Sequence, residues 1–177
     1  TALHVAAFGG HLSVVEALVT SGVSINTQTK DGRTALYIAS LAGHLDVVNL
    51  LLAKNASVNH RTNDGRTALF LASEYGHLDV VKLLLAKGAS VDQTVRYGQT
   101  ALHLAAQMGH RQLARWLVRF GGADRYAVDA AGRVAAELYP GALQASQGKT
   151  AETMDIFDGL ADSCNSSRHS TAQGEDA

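Results

Sequence analysis

Eight histidines, most of them recurring in register, are the side chains whose type and spacing could do chemistry. His11, His44, His77 and His110 each follow a glycine, and His4 and His103 stand near the start of two short apolar-periodic stretches. Imidazole is the commonest protein ligand for transition metals and the usual acid or base near neutral pH. A metal centre would need several of these rings to converge on one ion at about 2 Å. Set 33 residues apart on successive copies of one unit, neighbouring rings are instead separated by the packing distance of adjacent helices, about 8–10 Å. The pattern predicts imidazoles bonded to local backbone in each turn, and no metal site.

Other chemical signatures are missing from the sequence. There is no G-x-x-x-x-G-K-[ST] phosphate loop, no G-x-S-x-G elbow, no H-E-x-x-H, no C-x-x-C and no D-x-D-x-D-G calcium loop. The carboxylates are scattered over turns and exposed helix faces, with Asp46 and Asp79 placed to favour a helix N-terminus. We therefore expect no catalytic residues, no cofactor and no enzymatic activity.

The elements that position these residues are copies of a single unit, complete between Asp64 and Val91 (DGRTALFLASEYGHLDVVKLLLAKGASV). Residues 31–58 and 97–118 repeat it, and residues 1–25 are a further copy without its opening turn. In the complete copy, Thr67 can cap a short helix running to about Tyr75, and Gly76 stops it in the left-handed conformation that glycine adopts most cheaply. A second helix, about Leu78 to Ala86, carries more apolar surface than one side can bury, so both sides must face neighbours. Gly88 ends it, and Asn55 stands at the same place in the preceding copy. Polar turns at 26–32, 59–65 and 92–98 link the units as a row of fingers. Helices this short are unstable alone in water, so stacking has to hold them.

A 33-residue period opening Thr-x-Leu-His-x-Ala, as in Thr1–Ala6 and Thr100–Ala105, resembles the ankyrin repeat. The four Gly-His pairs and the Val-Val-x-Leu-Leu-Leu runs at 47–52 and 80–85 carry the same resemblance. It covers about residues 1–128 in four copies, with a degenerate fifth to about Leu138. Every copy has Ala after the Thr where the family usually has Pro (Ala2, Ala35, Ala68, Ala101). That predicts looser helix starts and the same fold. The resemblance implies an all-α solenoid of stacked helix-turn-helix units. Residues 1–139 form the array, its first repeat truncated and 129–139 a capping repeat. We expect a weakly helical extension at 140–162, containing the Met154, Phe157, Leu160 and Ala161 pattern, and a disordered tail at 163–177. The 150–161 segment reads either as a helix closing the last repeat or as a dock for another protein. Opening inside a repeat without an initiator Met, the chain reads as a fragment of a longer array. Leu3, Ala6 and Ala7 are expected to offer an apolar flank to solvent, where earlier repeats would stack.

Bulk properties narrow the partners. Lys and Arg number 15 against 16 Asp and Glu, a net charge of −1, which argues against holding nucleic acid by bulk charge. No apolar run is long enough to span a membrane. The single Cys164 has no disulfide partner in the chain, which favours a reducing compartment, the cytoplasm or alternatively the nucleus.

What distinguishes the copies is a surface. Unshared residues gather at the fingers and along the exposed first helices, and the resemblance implies that this concave side binds. We expect Arg33, Arg61, Arg66, Arg96 and Tyr97 at the fingers, with Glu74, Tyr75, Gln107 and Met108 on the helices, to contact a partner protein. Arg and Tyr suit the centres of interfaces. Across that side five basic residues (Lys30, Arg33, Arg61, Arg66, Arg96) face three acidic ones (Asp31, Asp64, Glu74), a balance of +2. The partner expected is therefore an extended or helical protein segment of mildly acidic character, bound by a monomeric adaptor or scaffold in signalling, with no small-molecule substrate. The alternative is the regulatory or cytosolic array of a larger enzyme or membrane channel. A second basic feature, Arg111, Arg115 and Arg119 beside Trp116, reads as a solvated helix face or as a contact for phosphate, acidic protein or lipid headgroups. Asn26 and Asn59 end a Leu-x7-Asn pattern similar to the context in which ankyrin asparagines are hydroxylated.

Overall fold

Threonines with extended backbone, Thr34, Thr67 and Thr100, open the first helices of the second to fourth units. The hydroxyls of Thr34 and Thr67 accept from the backbone amides of Tyr37 and Phe70, both at 3.3 Å, satisfying donors that a helix start leaves orphaned. The computed structural model describes residues 1–140 and pairs the helices as α1 (Ala2–Phe8) with α2 (Leu12–Thr20), α3 (Ala35–Ala42) with α4 (Leu45–Ala53), α5 (Ala68–Glu74) with α6 (Leu78–Ala86), and α7 (Ala101–Gln107) with α8 (Arg111–Arg119). Between the members of each pair the chain turns on a left-handed glycine, as at Gly43 (φ 77°) and Gly76 (φ 76°). Asn55 takes the left-handed place of Gly88 after the second helix, at φ 64°.

No single pair could bury these helices, and the stack does. First helices pack on one another in order, α1 on α3, α3 on α5 and α5 on α7, while α2, α4 and α6 form the second layer. One apolar cluster runs unbroken from Leu3 to Ala135. Leu3, Ala6 and Ala7 belong to it and are buried, contrary to expectation, because they point toward the second unit. The uncovered flank of the first unit is made instead by Val5 and Val14, which are 71% and 47% exposed. Their counterparts Leu71 and Val80 are both 2% exposed, since the preceding unit covers them.

Hydrogen bonds between units run in two further rows. Asn26 and Asn59 accept from the Ser57 and Ser90 amides, and Asp92 accepts from the Asp124 amide, each at 2.9 Å. At the fingers the Asn63 amide donates to the Asp31 carbonyl (3.1 Å) and the Ala130 amide to the Tyr97 carbonyl (2.8 Å). Such bonds are the nearest-neighbour coupling on which a linear array depends.

The fifth unit is shorter than the others. Its helix is the single 3-10 turn Ala135–Leu138, packed on α7 through Ala135 and Ala136. Pro140 lies against Gly109 where earlier units place a histidine, and Tyr126 replaces the asparagine of the side-chain row. Asp129 fixes the finger: it accepts from the Ala131 and Arg133 amides and pairs with the Arg133 guanidinium at 2.7 Å. Those bonds hold its carboxyl down at about 2. The predicted extension and tail, apart from Pro140, lie outside the described residues, as does the 150–161 pattern.

Candidate functional site

The histidines are structural, but the bonds they make differ from those predicted. His44, His77 and His110 reach back across the unit boundary, and their Nε2 atoms donate to the carbonyls of Phe8 (2.8 Å), Leu41 (3.0 Å) and Glu74 (2.8 Å). Local backbone is the wrong partner because each ring lies over the preceding unit's turn glycine. A Cβ built on Gly10, Gly43 or Gly76 would come within 2.6 Å of the ring. His103 works in the other direction. Its Nε2 donates to the Arg133 carbonyl (3.1 Å), and Nδ1 therefore accepts from the Thr100 hydroxyl (2.8 Å). Among the described residues no group of three His, Cys, Asp or Glu is placed to hold a metal, and no helix is long and apolar enough to cross a membrane.

What the histidine ladder positions is the face made by the fingers and first helices. In the two central units the helix position of His4 and His103 is held by Tyr37 and Phe70, buried with Leu71 and Leu104 in a second apolar cluster. Sequence reading passed over both residues. The available signal was this loss of His in the middle copies alone. The Arg66 guanidinium lies 5.8 Å from the Phe70 ring centre and bonds to Asp64 (3.1 Å) and Glu74 (3.4 Å). Burial, followed by the Asp64 carboxylate, raises the Tyr37 hydroxyl above its ordinary value. Asp64 is pushed down, chiefly by the Thr62 hydroxyl that donates to it.

One repeat further on, Gln99 and Gln107 stand where Arg66 and Glu74 do and bond to each other at 3.3 Å. The structure thus brings Arg66, Glu74 and Asp64 into one polar group and Gln107 into a neutral copy of it. Arg33 remains at the finger 26–32, 3.9 Å from Asp31. Arg61 is turned along the fingers and donates to the Thr94 carbonyl (3.2 Å).

Tyr75, Tyr97 and Met108 are 52%, 70% and 52% exposed, with Arg96 exposed beside Tyr97. Tyr75 stacks on the His77 ring of the ladder at 6.4 Å. Tyr97 sits at the tip of the finger 92–98 with φ 66°, a left-handed conformation that a bulky residue adopts only at a cost. The other two full fingers place Asp31 and Asp64 there with ordinary φ. On α8, Arg111 and Arg119 are exposed and Arg115 is half-buried with a partner of its own. A family model described as ankyrin repeats in three copies matches residues 1–62 and 58–129 of this chain. No curated protein matches it.

Proposed function

The chain belongs to the ankyrin-repeat family, whose repeats mediate protein–protein interaction, and from that premise we propose that it is a non-catalytic adaptor or scaffold seating a segment of a partner protein on its concave face. The observation that carries this reading is Tyr97. The left-handed backbone at φ 66° costs stability on the order of 1–3 kcal/mol, and while the Tyr97 carbonyl accepts from the Ala130 amide, the ring itself stays 70% exposed beside Arg96. Large, stiff side chains of this kind supply interface area with little ordering entropy.

Around it the face is preorganised. Arg66 is already balanced by Asp64 and Glu74, so attraction for an acidic segment comes from Lys30, Arg61 and Arg96 at the fingers, and Tyr75 and Met108 take its apolar side chains. The partner is a mildly acidic extended or helical segment, bound by a monomer working in the cytoplasm or nucleus. The test is capture from lysate by the chain and by a Tyr75→Ala, Arg96→Ala, Tyr97→Ala variant of equal helicity. A partner lost from the variant supports the proposal. Equal capture by both removes the concave face from it.

A further inference from the structure

We infer that the far flank of α8 is the docking surface for the chain's own acidic segment 150–161, which closes the array where a fifth second helix would lie. The flank is defined by register. In α6, Leu78 lines the crevice shared with Leu113 of α8, so the Leu78 side of a second helix faces the next unit. Arg111 is the counterpart of Leu78 one repeat on; it borders the same crevice at the start of α8, and it stands two residues, about 200° around the helix, from Leu113. Among the described residues the fifth unit sends its one-turn helix against α7 and no second helix against α8.

The surface left there is cationic and aromatic. Arg111 and Arg119 are exposed, Phe120 is 68% exposed, and the Arg119 guanidinium lies 5.4 Å from the Phe120 ring centre. Segment 150–161 (TAETMDIFDGLA) has the complementary chemistry. It carries Glu152, Asp155 and Asp158 with no Lys or Arg, and Met154, Ile156, Phe157 and Leu160 between them. Reach is sufficient. Pro140 packs against Gly109, one turn before α8 begins, and the nine residues 141–149 span up to about 30 Å. The α8 helix itself is only about 13 Å long. A tether of this length gives an effective concentration of about 1 mM, so an intrinsic affinity of roughly 0.1 mM keeps the segment docked about nine-tenths of the time.

The test is hydrogen exchange followed by mass spectrometry on the full chain at several concentrations. Amides of 150–161 should exchange about tenfold more slowly than those of an unstructured chain, independently of protein concentration. Arg111→Glu with Arg119→Glu should abolish the protection, as should Glu152→Lys with Asp155→Lys and Asp158→Lys. All five changes together should restore it. Unchanged exchange in α3–α6 peptides shows that each variant stays folded. Free exchange of 150–161 in the wild-type chain overturns the inference, and so does protection that survives either reversal or fails to return in the combination. Protection that grows with concentration also overturns it, by assigning the flank to a second copy's segment.

Discussion

Replacing Gly43 by alanine tests whether the histidine ladder couples the units. The added Cβ would stand 2.6 Å from two atoms of the His77 ring, so the ring must move and its bond to the Leu41 carbonyl is lost. Gly43 also has φ 77°, which alanine tolerates poorly, at about 1–2 kcal/mol. Gly88 supplies the control: its φ is 87°, but no atom lies within 4 Å of the Cβ position. Gly88→Ala therefore carries the conformational cost alone. Gly43→Ala adds the net loss of one hydrogen bond, about 1 kcal/mol, and a similar amount for the displaced ring, giving roughly 2–4 kcal/mol. In a His77→Ala background the three atoms nearest the methyl are gone, and Gly43→Ala should cost about as much as Gly88→Ala, a coupling of about 1–2 kcal/mol. Urea unfolding followed by circular dichroism measures all four variants, compared at constant m-value. Equal costs for the two glycine changes, or strict additivity with His77→Ala, would refute the ladder as an energetic coupling.

The remaining predictions concern the finger tip, the buried hydroxyls and Asp129. Tyr97→Asn, which suits a left-handed residue, should leave the chain as stable or up to about 1 kcal/mol more stable while weakening partner capture; lost stability would contradict the strain seen at φ 66°. Ser40 and Ser73 bury hydroxyls that find no partner among the described residues, and the outer copies carry Ala7 and Ala106 at these places. Ser73→Ala should therefore stabilise by about 1 kcal/mol in thermal unfolding. Asp129 has a folded pKa of about 2 against an ordinary 3.8. Its contribution is complete above pH 3.8 and is lost as pH falls through about 2, so the Ala131 and Arg133 amide resonances should shift in that window and stay fixed in Asp129→Asn.

The one-dimensional part of this architecture was legible because it is local. A Thr cap, a left-handed Gly and an apolar run at helical spacing depend on neighbours within a few residues. The sequence accordingly placed α6 at Leu78–Ala86, the turn glycines and the left-handed Asn55 where the structure has them. Repetition then fixed the stacking direction, since identical units can bury their flanks only against one another.

The relation between units was not legible. Histidines expected to bond within their own turns bond across the boundary, because the ring lies over a glycine 34 residues earlier, a contact that only stacking creates. Leu3 looked exposed and is buried, while Val5 is the uncovered residue. Which side of a short helix faces which neighbour depends on the rotation between units, and one-face periodicity carries no trace of it. The Arg66–Asp64–Glu74 group over Phe70 arose in the same way: its members were read singly as surface residues, and a finger folded back over the first helix made them one site. The sequence by itself determined the unit and its repetition, because caps, turn glycines and apolar runs act within a few residues and each copy restates them. Tertiary structure decided which polar groups are committed to holding the units together and which remain on the face, because hydrogen-bond partners are chosen by distances that exist only after the copies stack.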